Sequence, residues 1–356
     1  MKHSTLLFLL LGSVAGAAAA QSSITVYGIA DAGLVAERGN AGGSLNKLNS
    51  GVASGSRLGF RGTEDLGGGL AANFVLETGI AIDTGGFTQG GVAFGRQSFV
   101  GLSGSFGAVT LGRQYTPQYL TLSLADPFGT GLAGDAVNIM PATVDAASRM
   151  TNTIKYVSPT VQGFNGEVAY GFGEVVGDSS AQRQYGAAVG YAMGQLAVRL
   201  GYHNRSNDTA VIKNTSSGKD TLLAMTYDFT VVKLHLAYGV DKGLNSSPLR
   251  NNTNPYGSFV APVASTDSRD MLLGVTVPFG ASTVLASYIR KNDRQDAGQS
   301  ANQIALGYRY AMSKRTDVYT SYARINNSNG AGYTVGNAIE AGSGDKAFNM
   351  GVRHTF

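Results

Sequence analysis

Segments of about ten residues in which apolar and polar side chains alternate with a period of two recur along almost the whole chain, and no other feature constrains its fold so tightly. A tilted strand of that length crosses the hydrocarbon core of a bilayer. The clearest segments are 164–172 (FNGEVAYGF), 196–202 (LAVRLGY), 233–240 (KLHLAYGV) and 303–310 (QIALGYRY). One parity gathers Phe, Leu, Val and Tyr, and the other Glu, Arg, Lys, His, Gln, Gly and Ala. Sixteen such segments run from Ile24 to Phe356. Their connections alternate strictly in length. The short ones are 63–69, 103–107, 158–163, 192–195, 230–232, 278–282 and 311–316. The long ones are roughly 35–55, 78–93, 115–148, 173–183, 204–219, 241–269, 291–301 and 325–346. Short turns on one rim and long loops on the other predict an all-β fold, a 16-stranded antiparallel up-and-down transmembrane β-barrel with periplasmic turns and extracellular loops. A Greek-key sandwich has no reason to alternate this way. An even strand count leaves both termini on the short-turn rim, where 24–34 can close against 347–356.

A charge facing lipid at the midplane of a barrel costs about 2–4 kcal/mol, so the apolar parity should be uncharged. Within the segment interiors it is; Arg290 and Arg324 take that parity only where strands run into loops. Tyr156, Tyr191, Tyr202, Tyr227 and Tyr310, near segment ends, fit interfacial girdles. Segments 94–102 and 108–113 alternate poorly, with Val100, Leu102, Val109 and Leu111 sharing parity with Arg96 and Arg113. A bulge or a protein-covered outer face accounts for that pattern.

The first twenty residues read differently. Met1-Lys2-His3 is a basic start, 6–11 an unbroken apolar run, and Ala18-Ala19-Ala20 a small-residue cleavage site. Residues 1–20 therefore read as a secretory signal peptide, and 21–356 as one barrel domain. Beyond residue 20 no apolar run approaches the ~18 residues of a spanning helix. The absence of cysteine removes a disulfide scaffold and suits export in an unfolded state. With 27 Lys and Arg against 23 Asp and Glu and no basic run, the chain shows no nucleic-acid footprint.

Polar parity points Arg57, Arg61, Glu77, Arg96, Arg113, Arg149, Lys155, Arg199, Lys233, Arg309 and Arg353 into the lumen, with Asp31, Glu167, Asp228 and Asp317. At about 2.3 Å of climb per tilted residue, Arg57, Glu77, Arg96, Arg113 and Arg149 stand roughly 14–21 Å above their turns. They form a basic arc containing one acid. Arg199, Lys233, Arg309 and Arg353 lie lower, in a periplasmic vestibule. For Arg61, beside Glu64 and Asp65, simple pairing on the wall is the expected role. Guanidinium groups stay charged, and several in a narrow pore attract anions and repel cations.

Connection 115–148 is long but carries few charges (Asp126, Asp135, Asp145) and many small or apolar residues. Folding it inward would bury Leu120, Leu122, Leu124, Phe128 and Ile139 and narrow the channel opposite the arginines. Three glycines at 67–69 lack a following helix and Lys-Ser/Thr, so they read as a turn. His203, His235 and His354 lack metal-ligand spacing, and no cofactor or metal is expected. A sugar-specific channel would want a ladder of lumen aromatics, yet that parity offers few beyond Tyr27 and Tyr319; small organic acids are the other specific cargo to weigh. A hydrolase would need a serine partnered by His203 or His235. The terminal Phe356 closes an alternating strand and is a plausible handle for the barrel-assembly machinery.

Several stretches resemble the general diffusion porins of β-proteobacteria: 21–31 (QSSITVYGIAD), 56–70 (SRLGFRGTEDLGGGL), 95–103 (GRQSFVGLS), 106–114 (FGAVTLGRQ), 306–316 (LGYRYAMSKRT) and 351–356 (GVRHTF). That resemblance spans 21–356. It implies an outer-membrane homotrimer, an inward third loop and frequent anion selectivity, with small anions and hydrophilic solutes as cargo. Periplasmic chaperones, the assembly machinery, the lipid bilayer and lipopolysaccharide would be its partners. By position it implies constriction arginines at Arg57, Arg96 and Arg149, faced by Glu77 on the wall and Asp126 in the loop. Gln97 stands where some members carry a second basic residue.

Overall fold

The period-two segments fold as strands with one face toward lipid and one toward a lumen. The computed structural model describes residues 23–141, 148–247, 254–336 and 343–356. The segment expected to be a signal peptide, and Asp145, lie outside them. In chain order the strands are β1 (Ser23–Asn40), β2 (Gly43–Ser50), β3 (Arg57–Gly67), β4 (Leu70–Ala81), β5 (Gly86–Phe87), β6 (Gln97–Gly104), β7 (Gly107–Tyr115), β8 (Arg149–Met150), β9 (Thr153–Val157) and β10 (Phe164–Gly171). They continue as β11 (Gln184–Met193), β12 (Leu196–Arg205), β13 (Gly218–Asp228), β14 (Lys233–Lys242), β15 (Asp267–Phe279), β16 (Ser282–Asp293), β17 (Ala301–Ala311), β18 (Thr316–Asn327) and β19 (Lys346–Thr355). The helix α1 (Pro117–Ala125) follows β7, and a one-turn 3-10 helix, Ala136–Asn138, lies farther along the same connection.

β2 with β3, and β8 with β9, each make one stave, and β5 only caps the end of β4, so the closed antiparallel barrel has sixteen staves. Closure runs from Ile29 opposite Thr355 to Arg38 opposite Lys346. Gly28 and Phe356 extend it by exchanging two backbone hydrogen bonds of 3.1 Å. Inside and outside are inverted relative to a water-soluble protein. Leu34 is 58% exposed while its neighbour Val35 is 7% exposed, and Asp31 and Gln303 are fully buried. Each large apolar side chain left in water forgoes about 1.5–3 kcal/mol, so the outer face belongs in lipid.

Two local departures from the expected pattern have physical causes. The first long connection, expected over 35–55, is largely strand: β1 and β2 pair up to Asn40 opposite Gly43, joined by a tight turn at 41–42, and the chain bends inward at 51–56. Asp31 holds that bend inside the barrel, accepting the N–H groups of Val52 (3.1 Å), Ala53 (3.0 Å) and Ser54 (2.8 Å). The irregular segment near residue 96 is a bulge-like break. Glu77 pairs with Gln97 in the ladder, but its carbonyl also accepts the N–H of Arg96. Two residues then oppose one, which re-aims Arg96 into the lumen while Val100 and Leu102 stay outside.

The connection after β7 folds inward, as its composition predicts. Thr116 caps α1 by accepting the Tyr119 N–H (3.0 Å), and Pro117 opens the helix, where its missing donor costs nothing. Leu122, Phe128 and Ile139 are fully buried, Leu124 is partly buried against the same cluster, and Leu120 is intermediate. The helix rests on β11–β14. Glycine makes the approach possible: a Cβ on Gly201 would sit 2.4 Å from Thr121 Oγ1, and one on Gly307 2.8 Å from Phe128 Cε1.

Candidate functional site

With α1 against one wall, the open lumen is squeezed between the inward loop and the opposite staves. A cavity of about 500 Å³ lies there, lined by Arg57, Arg96 and Arg149 on the wall side and Tyr119, Ser123 and Thr130 on the loop side. The bend at 51–56 supplies Ser54 and Gly55 to its rim. Arg57 donates from Nε to Gly55 O (2.9 Å) and from Nη2 to Ser54 Oγ (2.7 Å), so its acceptors are neutral. Among the described residues no carboxylate forms an ion pair with it. Arg96 donates from Nε to Glu77 Oε1 (2.7 Å) and from Nη2 to Tyr115 Oη (2.8 Å). Tyr27 donates its hydroxyl to the other Glu77 oxygen at 3.0 Å. Arg149 reaches Tyr115 Oη at 3.3 Å and lies over the same ring, 4.8 Å from its centroid.

Sequence reasoning missed the aromatic part of this site. Tyr115 and Tyr119 stack with centroids 5.0 Å apart, and Tyr119 shares a 3.0 Å hydrogen bond with Thr130. Burial raises the ionisation threshold of the Tyr119 hydroxyl, which therefore stays neutral. Thr116-Pro117 was the available signal, since a capping threonine before proline announces a helix and places Tyr119 in its first turn.

Three expected positions need correction. Arg113 stands opposite Ser98 in the ladder, just after Gly112, whose backbone is irregular with φ 131°. Its Nε donates to Gly95 O at 2.7 Å, and it does not line the constriction cavity. The break at Arg96 and Gln97 turns Arg96 inward without carrying Arg113 along. Asp126 does not face the arginines. Its carboxylate is turned into the loop, accepting the N–H groups of Phe128 (2.9 Å), Thr130 (2.9 Å) and Ala136 (3.1 Å). Arg61 does not pair with Glu64 or Asp65; its guanidinium lies over the Tyr27 ring, 5.3 Å from the centroid.

The residues placed in the vestibule divide. Arg353 pairs with Asp317 through two bonds of 3.0 and 2.6 Å, and Lys233 shares lumen parity with His235. Arg199 and Arg309 instead support the inward loop. Arg199 bonds Thr121 Oγ1 (3.2 Å) and pairs with Glu167, which also holds Lys155 at 2.8 Å. Arg309 donates to Phe128 O at 3.1 Å. Above them Lys291 is fully buried between Asp241 (2.7 Å) and Asp270 (2.8 Å), a set away from the cavity. His235 Nε2 lies 3.1 Å from Thr276 Oγ1.

A closed barrel, an inward loop and a charged narrowing also describe known proteins. The family model of Gram-negative porins matches residues 6–330. The chain belongs to that family. It is similar to an outer membrane porin protein of Bordetella pertussis, 32% identical over the whole of both chains, and to outer membrane porin protein 32 of Delftia acidovorans, also 32% identical over the whole of both. Among solved structures it superposes on the anion-selective porin from Comamonas acidovorans with a TM-score of 0.74 and 30% identity, covering 94% of this chain and 100% of that one. OmpF of Salmonella typhi, 19% identical with a TM-score of 0.70 over 94% of this chain and 97% of that one, shares the fold. This porin is accordingly an outer-membrane channel through which small hydrophilic solutes diffuse.

Proposed function

We propose that this diffusion channel prefers small anions, and that Arg57 and Arg96, with Arg149, set the preference at the constriction. The observation that carries the reading is Arg57, whose guanidinium edges the cavity with neutral acceptors only. Glu77 offsets one charge, that of Arg96. Asp126, buried in the loop's own hydrogen bonds, adds little to the field along the ion path. Fixed positive charge in a confined, partly low-dielectric passage raises the local anion concentration and lowers that of cations. The similar anion-selective porin from Comamonas acidovorans supports the same direction. The test is the reversal potential of the purified protein in a planar bilayer under a KCl gradient at 0.1 M. A potential of the sign that marks chloride as the faster ion is expected; a cation-selective or unselective channel contradicts the reading.

The same reading takes the working unit as a homotrimer, exported by a cleaved signal peptide at 1–20 and inserted by the barrel-assembly machinery through the strand ending at Phe356. Phe356 is half exposed, and its ring packs over Gly28 at the closing seam, where it is available before closure and covered in part afterwards.

A further inference from the structure

The bend at 51–56 is folded around one side chain. Besides the three N–H groups taken by the Asp31 carboxylate, Gly51 donates its N–H to Asp31 O at 2.7 Å. The Ser56 hydroxyl accepts the Asp31 N–H (3.0 Å) and donates to the Asp31 carbonyl (2.9 Å). Gly55 aside, every residue of the bend is thus bonded to Asp31. A buried charge is usually paired, and Arg353 stands directly opposite Asp31 in the ladder. Arg353 bonds Asp317 instead. The Asp31 carboxylate is satisfied by backbone donors and by one hydroxyl, that of Tyr319 at 2.6 Å.

That hydroxyl comes from two strands away, across the seam at which the barrel closes. Tyr319 lies on β18 opposite Gly351 of β19, and Gly351 lies opposite Gly33 of β1. The ring crosses both glycines to reach Asp31. A Cβ on Gly351 would fall 2.4 Å from Tyr319 Oη, and one on Gly33 2.9 Å from it. Tyr319 is 4% exposed and Asp31 fully buried, so solvent does not compete for the contact. The closing seam therefore holds the bend, and the bend holds the Arg57 guanidinium through Ser54 Oγ and Gly55 O.

The neighbouring ladder shows what this arrangement prevents. Arg57 lies opposite Gly79, two residues from Glu77 on the same face. Diagonal neighbours of that kind are about 7–8 Å apart, within reach of a long side chain. Without Ser54 and Gly55 as acceptors, Arg57 would have a carboxylate to turn to, and pairing would neutralise its charge. Resting on the anion preference assigned to Arg57, we propose that Asp31, braced by Tyr319, is a positioning residue for ion selectivity: it keeps the Arg57 guanidinium at the cavity edge and out of a pair with Glu77. The Asp31 carboxylate is itself negative and by charge alone would oppose anions, so its two effects on selectivity differ in sign.

The test is the reversal potential in a KCl gradient at 0.1 M for wild type, Asp31→Ala, Arg57→Gln and the double variant. Asp31→Ala removes a negative charge, yet the chloride-to-potassium permeability ratio should fall by about twofold, the weight of one unit charge near the ion path at this ionic strength. In the Arg57→Gln background the same substitution should lower it no further, the non-additivity expected of residues that act as one unit. Tyr319→Phe alters no charge and should move the ratio the same way by a smaller factor. A ratio that rises or stays level in Asp31→Ala, or falls equally in both backgrounds, would overturn the proposal. An independent readout is a nitroxide label on Ser54→Cys, site-specific in a chain without cysteine. It should be immobilised with Asp31 present and mobile in Asp31→Ala; a label equally immobile in both also overturns the proposal. A wild type without anion preference instead sinks the selectivity reading, and the label alone then decides whether Asp31 holds the bend. Should Asp31→Ala fail the heat-modifiability check of folding, Tyr319→Phe and the label in its background decide it.

Discussion

Arg96 Nε lies 2.7 Å from Glu77 Oε1, across the break where β6 enters the barrel, so this wall carboxylate is already engaged with one of the constriction arginines. Glu77→Gln should therefore strengthen anion preference. A unit charge ~5 Å from the ion path is worth about 0.8 kcal/mol in a water-like medium, and screening at 0.1 M leaves roughly a twofold change in permeability ratio. Reversal potentials of wild type and variant check this. An unchanged ratio would mean the Glu77 charge is not sensed in the pore.

Gly201 lets α1 lie against β12. In Gly201→Val the added Cβ falls 2.4 Å from Thr121 Oγ1 and 3.3 Å from Gln118 Cα, so the helix must move off the wall into the lumen. Overpacking of this kind costs about 1–3 kcal/mol, too little to open a large barrel. Lower single-channel conductance is expected, with heat-modifiability retained.

Much of this was legible beforehand because lipid on one side and water on the other impose a strict parity that neighbouring contacts cannot disguise. Strand count, closure at Phe356, the lumen placement of Arg57 and the inward loop all follow from that parity and from loop composition. Arg113, in a segment that alternates poorly, bonds Gly95 O and does not edge the cavity, and nothing in GRQSFV marks the break at Arg96. Asp126 was misread because an aspartate that clamps its own loop through Phe128, Thr130 and Ala136 has the same short-range sequence as one facing a pore. The extension of β1 and β2 beyond the membrane was hidden by a polar, glycine-rich composition typical of loops.

Asp126 also gives a pH dependence. Burial raises its carboxyl to about 6, against the lowering effect of backbone donors from Ala136, Phe128 and Thr130 and of nearby Arg309. A group raised in the folded state stabilises it fully below the unfolded value of 3.8, and that contribution is lost as pH rises through about 6. The docked loop should then fluctuate less at pH 5 than at pH 8. Open-channel current noise measures this, and the pH difference should vanish in Asp126→Asn whatever that variant's baseline. Noise that rises with falling pH would contradict the sign.

The central claim is that positive charge at the constriction sets selectivity, and Arg57→Glu tests it most directly because Arg57 bonds only neutral acceptors and its loss strands no carboxylate. The substitution changes the local charge by two units, which by the same estimate should cut the chloride-to-potassium permeability ratio about fivefold at 0.1 M. At 1 M, where the Debye length is ~3 Å, the difference should largely disappear. Arg57→Lys should stay near wild type at both concentrations. The measurement is the reversal potential across a KCl gradient for the three proteins at low and high salt. A wild type without anion preference at 0.1 M, or an Arg57→Glu channel indistinguishable from it, would contradict the account.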